Sequence, residues 1–160
     1  MGTGPRRLEF ATDEVEAIVP HLLTADRVAG RGWINLDPMV DADDMPEPSS
    51  GLTALFSAHG PPVPHLTWVA PTRGKRGGGD PASVGVEHGL GSKALPHLVE
   101  GGHPPPAGWR RLSDNPRRGL VLAVPEDAEP EATLRWMLDA AVALSRTPLT
   151  GSWQASVYER

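Results

Sequence analysis

The order of strand and helix signals in residues 83–158 restricts the fold more than any other feature of this chain. Strand patterns of apolar residues fall at 83–88, 109–113, 119–124 and 152–158. A helix pattern separates the first strand from the second, and another separates the third from the fourth. The resulting order is that of the ferredoxin-like βαββαβ unit, an antiparallel sheet with helices on one face. We therefore predict an α+β protein.

Apolar periodicity and helix-end residues predict three helices. Residues 131–145 have apolar side chains at helical spacing, with Pro130 at the first position and Pro148 beyond the end. Residues 92–100 form a short helix in this interpretation, capped by Ser92. An N-terminal helix over 12–23 should kink or split at Pro20, because proline removes a helical hydrogen bond.

The first half of the chain extends the predicted sheet. Strands are expected at 32–40, 54–57 and 65–69. Two loops, the acidic 41–51 and the glycine-rich 72–81, have little to bury and are expected to be mobile. With 18 glycines and 18 prolines, the elements should be short and joined by many turns. We predict one domain over residues 1–160.

Composition excludes several classes of protein. The chain has no cysteine, which excludes disulfides, thiolate zinc sites, iron–sulfur clusters and a cysteine nucleophile. A formal charge of −5 argues against a protein that coats nucleic acid. No apolar run approaches the ~20 residues of a membrane span, and Arg6-Arg7 is not followed by the apolar segment of a secretory signal. We expect a cytoplasmic protein that does not bind membranes and needs no cofactor.

The segment from residue 85 to 97 could hold an anion. A strand leads into a glycine-rich turn and a helix start, where free backbone N–H groups collect. The ligand-binding candidates are Gly89, Gly91, Ser92 and Lys93. The segment is not a phosphate-binding P-loop, which requires the order Gly-Lys-Ser/Thr. The alternative interpretation is that a tight turn needs glycine and a helix cap.

Histidines in the same segment suggest acid–base catalysis as a second possible function. His88 could act as a general base with Glu87 beside it, and His97 follows on the next helix. No pair has the His-Glu-x-x-His spacing, so no metal site is predicted. The acidic run 37–47 does not fit the calcium-binding EF-hand register and is interpreted as a solvated loop.

Paired arginines surround a predicted hairpin next to Trp109, and a basic hairpin with an aromatic ring can bind single-stranded nucleic acid. These arginines are Arg110, Arg111, Arg117 and Arg118. The strand order resembles that of the RNA-recognition motif, and Arg118-Gly119 begins that family's central-strand signature. The following residues, Leu120 to Val124, lack every aromatic of the signature. The missing stacking rings argue against RNA binding.

Trp136 lies on the polar side of the last helix, where exposure would mark a partner surface. In the alternative, it packs under a loop. Our leading hypothesis is a non-catalytic binding or interaction protein, dimeric if an open sheet edge pairs with a second copy. A small cofactor-free enzyme acting on an anionic molecule at residues 85–97 is the first alternative. Nucleic-acid binding through the arginine hairpin is the second.

Overall fold

A computed structural model describes residues 4–27, 32–46, 60–73 and 76–158 of the chain. The strands are β1 (Arg6–Ala11), β2 (Trp33–Pro38), β3 (His65–Val69), β4 (Ala82–Glu87), β5 (Arg110–Asn115), β6 (Gly119–Val124) and β7 (Ser152–Tyr158). The helices are α1 (Val19–Arg27), α2 (Ala94–Glu100) and α3 (Pro130–Leu144), with short 3-10 turns at Thr12–Ala17 and Ala42–Asp44. The strand predicted at 54–57 lies outside the described residues.

The seven strands of the described residues form one antiparallel sheet in the order β1-β7-β2-β3-β4-β6-β5. The α+β class is therefore the predicted one, and the elements from β4 to β7 follow each other along the chain in the predicted order. Within the sheet, β4 is a neighbour of β6, but β2 and β3 lie between β4 and β7. A compact ferredoxin-like unit would place β7 directly beside β4. β1, which was not predicted as a strand, forms one edge.

One face of the sheet is apolar because core residues alternate along each strand with residues of the other face, which are mostly polar except on β6, where they include Val121 and Ala123. Leu36 lies opposite Leu66, which in turn lies opposite Val86, so the register aligns apolar side chains across neighbouring strands. This face and the helices that cover it share one hydrophobic core. Its strand residues include Ile34, Leu36, Leu66, Trp68, Val84, Val86, Leu120, Leu122, Trp153, Ala155 and Val157. Helix α3 contributes Leu134, Met137, Leu138 and Leu144.

The first predicted helix is split, as its proline suggested. The 3-10 turn ends at Ala17 and α1 begins at Val19, so Pro20 falls in the first turn of α1. A missing N–H costs little in that turn because its N–H groups have no helical partner. The break therefore comes just before Pro20 rather than at it. None of the described helices is long and apolar enough to span a bilayer.

The cap predicted for the second helix is wrong. Helix α2 begins at Ala94 rather than Ser92, and its N-cap residue, Lys93, makes no side-chain capping bond. Instead, the carboxylate of Asp114 on β5 accepts hydrogen bonds from the N–H groups of Ala94 and Leu95, at 2.8 and 3.1 Å. A side chain distant in sequence thus does what a local cap would do.

Candidate functional site

The second face of the sheet has no helix over it in the part of the chain that the structure describes. Polar residues alternate with the core residues along β2, β3 and β7 and so point away from the helices. We call this surface the open face. It comprises Arg7, Glu9, Trp33, Asn35, Asp37, His65, Thr67, Val69, Glu87, Gln154, Ser156 and Tyr158.

Three carboxylates lie in one line across the open face. Glu9 pairs with Gln154, and Gln154 pairs with Asp37. On the next strands, His65 contacts Asp37 and pairs with Glu87. Because neighbouring strands are about 4.8 Å apart, a carboxylate recurs about every 10 Å across the strands. We call Glu9, Asp37 and Glu87 the acidic row.

His65 is the one basic group within this line. Its Nδ1 is hydrogen-bonded to Oδ1 of Asp37, and both side chains are partly open to solvent, at 32% and 46% exposure. The hydrogen bond to Asp37 raises the pKa of His65, and the charges of Asp37 and Glu87 add to it, while partial burial opposes the shift. The protonated imidazolium is therefore stabilised between two carboxylates.

Aromatic rings occupy the other end of the open face. Trp33 and Tyr158 are cross-strand partners whose rings stack with centroids 4.8 Å apart and planes at 14°. Between them and the acidic row, the hydroxyl of Thr67 donates a hydrogen bond to Oδ1 of Asn35 at 3.1 Å. Trp33 and Asp37 are four residues apart on one strand, a span of about 13 Å. The open face thus combines an aromatic platform with a line of negative charge.

The structure places His88 far from solvent. It follows Glu87 directly and is fully buried. Its Nδ1 accepts a hydrogen bond from the N–H of Leu90 at 3.3 Å, and its Nε2 has no partner among the described residues. Burial lowers the pKa of His88, and His97 lowers it further, although the charge of Asp114 opposes the shift. Among the described residues, no hydrogen bond joins His88 to Glu87 or to another carboxylate.

The other residues of the 85–97 segment have structural roles. Gly89 lies against the backbone of Pro61 and Pro62, where a Cβ would collide, and Gly91 has a φ of +73°. Both positions require glycine for the turn itself. The N–H groups that begin α2 already bind Asp114, so an anion at Ser92 and Lys93 would have to displace that carboxylate. His97 is nearby but exposed, with Nε2 3.2 Å from the carbonyl oxygen of Ala143.

Trp136 packs under a loop. Its side chain is only 8% exposed, and its Nε1–H donates a hydrogen bond to the carbonyl oxygen of Pro104 at 3.0 Å. Its ring also meets Trp109 edge-on, with centroids 5.1 Å apart. Of the two interpretations of Trp136, exposure on a partner surface is therefore wrong, because the segment after α2 covers the ring.

The four candidate arginines all lie at one edge of the sheet. Arg110 and Arg111 begin edge strand β5, and Arg117 and Arg118 lie in the turn that follows it. The opposite edge strand, β1, also begins with an arginine pair. Charged side chains on edge strands prevent unwanted pairing with other sheets. Because both edge strands carry an arginine pair, protection of the sheet edges from pairing is a structural reason for these arginines.

Some residues from separate predictions come together. Lys93 and Arg111 line one shallow groove between α2 and β5, together with Val99. Across the described residues, no group of three or more histidine and acidic side chains is arranged to hold a metal ion. The contact between Asp37 and His65 was not predicted, although Asp37 begins the acidic run 37–47 and His65 begins the strand predicted at 65–69.

A scan against protein-family models and searches of curated proteins and of solved structures find no match to this chain.

Proposed function

We propose that this protein is a non-catalytic interaction protein whose open face binds a basic, extended segment of a partner protein. The observation that carries the proposal is the acidic row, which lies on a sheet face that no described helix covers. Glu9 and Glu87 are exposed and Asp37 is half-exposed beside His65, and a partner with positive charges at matching intervals would complement the negative charge of this row.

The aromatic platform supports a protein segment as the occupant. Arginine guanidinium groups and apolar side chains both bind well to indole and phenol rings. Val69, on the neighbouring strand, adds exposed apolar surface at 39% exposure. The acidic row runs across the strands, whereas the platform lies about 13 Å from it along β2, so a segment on the row reaches the platform only where its chain turns along that strand.

Other occupants have less support. The phosphates of a nucleic acid would be repelled by the acidic row. A second copy pairing edge to edge would bring the arginine pairs of β1 or β5 against similar charge. The enzyme alternative at residues 85–97 lacks the contact between His88 and a carboxylate that it requires, within the described part of the chain.

We also interpret the fold as a ferredoxin-like unit widened by β2 and β3. Inserting two antiparallel strands between β7 and β4 leaves the direction of β7 unchanged, so the rest of the unit keeps its topology. The widening creates the open face, since Asp37, His65 and Trp33 all lie on the two inserted strands.

Fluorescence polarisation with labelled peptides tests the proposed function. The first peptide has arginine at every third position between serine and threonine, which spaces the charges by about 10 Å when extended. The second has the same composition with all arginines at one end. We expect the spaced peptide to bind more tightly, and E9Q/D37N/E87Q to weaken its binding roughly tenfold, since three exposed ion pairs contribute about 0.5 kcal/mol each.

A matched variant separates the open face from net charge. E16Q/E100Q/D139N removes the same number of negative charges from exposed positions outside the open face. We expect it to change the affinity less than twofold, a difference small enough to attribute to net charge alone. Equal losses in the two triple variants, or equal binding of the two peptides, would overturn the proposal. So would light scattering that shows a dimer dissociated by the open-face substitutions.

A further inference from the structure

His65 is a titratable group inside the proposed binding surface. It lies on β3 between β2 and β4, and so stands between two of the three carboxylates of the acidic row. Its Nδ1 is hydrogen-bonded to Oδ1 of Asp37, and Glu87 is its cross-strand partner. Side chains paired in this way have Cβ atoms about 5 Å apart. A positive charge on His65 is therefore close to both carboxylates.

The imidazole of His65 is open to solvent on the side that a partner would occupy. Its side chain is 32% exposed and that of Asp37 is 46% exposed. Both lie on the open face, which no described helix covers. The imidazole can therefore exchange protons with water while the acidic row is empty, and a basic segment bound along the row would contact this pair.

The charged groups around His65 come from the two strands beside it. The hydrogen bond to Asp37 is the largest cause of its raised pKa, and the charges of Asp37 and Glu87 add to the shift, while partial burial opposes it. The rest of β3, residues 66–69, is uncharged. Since histidine ordinarily has a pKa of 6.5, the raised pKa means that His65 loses its charge above that pH.

Protonation of His65 and binding of a basic segment compete for the same carboxylates. The imidazolium offsets part of the negative charge of the acidic row. It also engages Oδ1 of Asp37 in a charge-assisted hydrogen bond, which is stronger than the bond made by a neutral imidazole. A guanidinium of the partner must replace that contact and is repelled by the charge of the imidazolium. Loss of the proton removes both effects.

We propose that His65 makes binding at the open face pH-dependent: the basic partner binds more tightly when His65 is neutral and more weakly when it is protonated. This inference rests on the proposed function and adds its regulation. Protonation should weaken binding about fivefold, since it opposes binding through two effects that are each the size of one exposed ion pair. Because binding and protonation are linked, the bound partner should lower the pKa of His65 by about 0.7, which is the same factor.

Fluorescence polarisation between pH 5.5 and pH 8.5 tests this inference with the spaced arginine peptide. Its N-terminus is acetylated, its C-terminus is amidated and its label is a rhodamine, so no group of the peptide titrates in this range. The ionic strength is the same at each pH, because salt weakens contacts between exposed charges. We expect the dissociation constant of the wild type to be about fivefold larger at pH 5.5 than at pH 8.5. An affinity that does not change with pH, or that rises toward pH 5.5, would contradict the inference.

Two histidine substitutions identify the titrating group. His65→Gln keeps a polar side chain without a charge, and the ratio of its dissociation constants at the two pH values should be below about 1.5. His103→Gln, beyond α2 and outside the open face, is the matched control and should keep the wild-type ratio. Circular dichroism at both pH values shows whether each protein is folded. A wild-type ratio in folded His65→Gln would assign the pH dependence to another group and overturn the inference.

A measurement on the wild type needs no substitution. The imidazole resonances of His65, followed by NMR, give its pKa without the spaced peptide and with a saturating amount of it. We expect the peptide to lower that pKa by about 0.7. An unchanged or raised pKa of His65 in the bound protein would overturn the inference, whether or not His65→Gln folds.

The proposed function and its regulation by His65 can fail separately. At pH 8.5, the comparison of the spaced with the clustered peptide tests the proposed function alone, as does the comparison of E9Q/D37N/E87Q with its matched variant. Selective binding at pH 8.5 without a pH dependence would overturn only the role of His65. Equal binding of the two peptides at pH 8.5 would overturn the proposed function and its regulation together.

Discussion

His65 and His88 lie close to each other on adjacent parts of one sheet, yet their environments are opposite. His65 is on the open face, shares a hydrogen bond with Asp37, and has a raised pKa. His88, one residue beyond the strand partner of His65, is fully buried and has a lowered pKa. The alternation of side chains along a strand accounts for the difference, because neighbouring residues point to opposite faces. The sheet therefore separates the face that packs in the core from a face whose described side chains are mostly at least partly exposed, with Ser156 buried among them.

The largest expected effect is on stability, and adjacent residues of β3 test it. Leu66→Ala removes a fully buried side chain and should lower the free energy of unfolding by about 3 kcal/mol. Thr67→Ala loses one hydrogen bond to Asn35 on the open face and should cost about 1 kcal/mol or less. Urea unfolding monitored by circular dichroism measures both. Similar losses for the two substitutions would show that the open face is also packed.

The second largest effect is the dependence of the free energy of unfolding on pH, which we attribute to His88. Its pKa in the folded protein is below the ordinary value of 6.5, so the unfolded chain takes up a proton while the folded chain does not. The free energy of unfolding should therefore fall as the pH drops below 6.5, by at most about 1.4 kcal/mol per pH unit. Unfolding curves between pH 5 and pH 8 should show this slope in the wild type and lose it in His88→Gln.

His103→Gln serves as the control for that substitution, since His103 lies beyond α2 and outside the turn. It should keep the wild-type slope. A slope that persists in His88→Gln would mean that His88 is hydrated or paired in the folded protein, and the contrast between the two histidines would not hold.

The smallest expected effect is on the titration of His65. Asp37→Asn should lower the pKa of His65, because it removes the largest cause of the shift, and Glu87→Gln should lower it less. The contribution of His65 to the free energy of unfolding changes with pH in the direction opposite to that of His88. The contribution of His65 is fully present below pH 6.5 and is lost as the pH rises through its raised pKa. Imidazole resonances followed by NMR measure the pKa directly, and those of His88 should not change in Asp37→Asn.

Elements defined by local patterns could be predicted from the sequence. Helix α3 was predicted at 131–145 and spans Pro130–Leu144, and the bounds of β3, β6 and β7 are those predicted. In each case the apolar spacing within the element determines which residues face the core. The buried position of His88 could have been predicted in the same way, by continuing the alternation of Val84 and Val86.

The acidic row could not be predicted, because it depends on which strands are neighbours. Asp37 and His65 are 28 residues apart, and they meet only through the register of β2 against β3. The link from Asp37 through Gln154 to Glu9 requires β7 to lie between β1 and β2. Helix α2 illustrates the same limit, since its cap comes from Asp114 on a later strand.

The position of β7 has a consequence for how the chain is made. A ribosome completes β7 after the other six strands, yet β7 separates β1 from β2 and bonds to both. Until it emerges, β1 lacks its partner among the described strands, and β2 presents a row of unpaired backbone groups along one side. Pairings between residues so distant in sequence also form slowly. Before β7 is made, that side of β2 is therefore open to pairing with other strands.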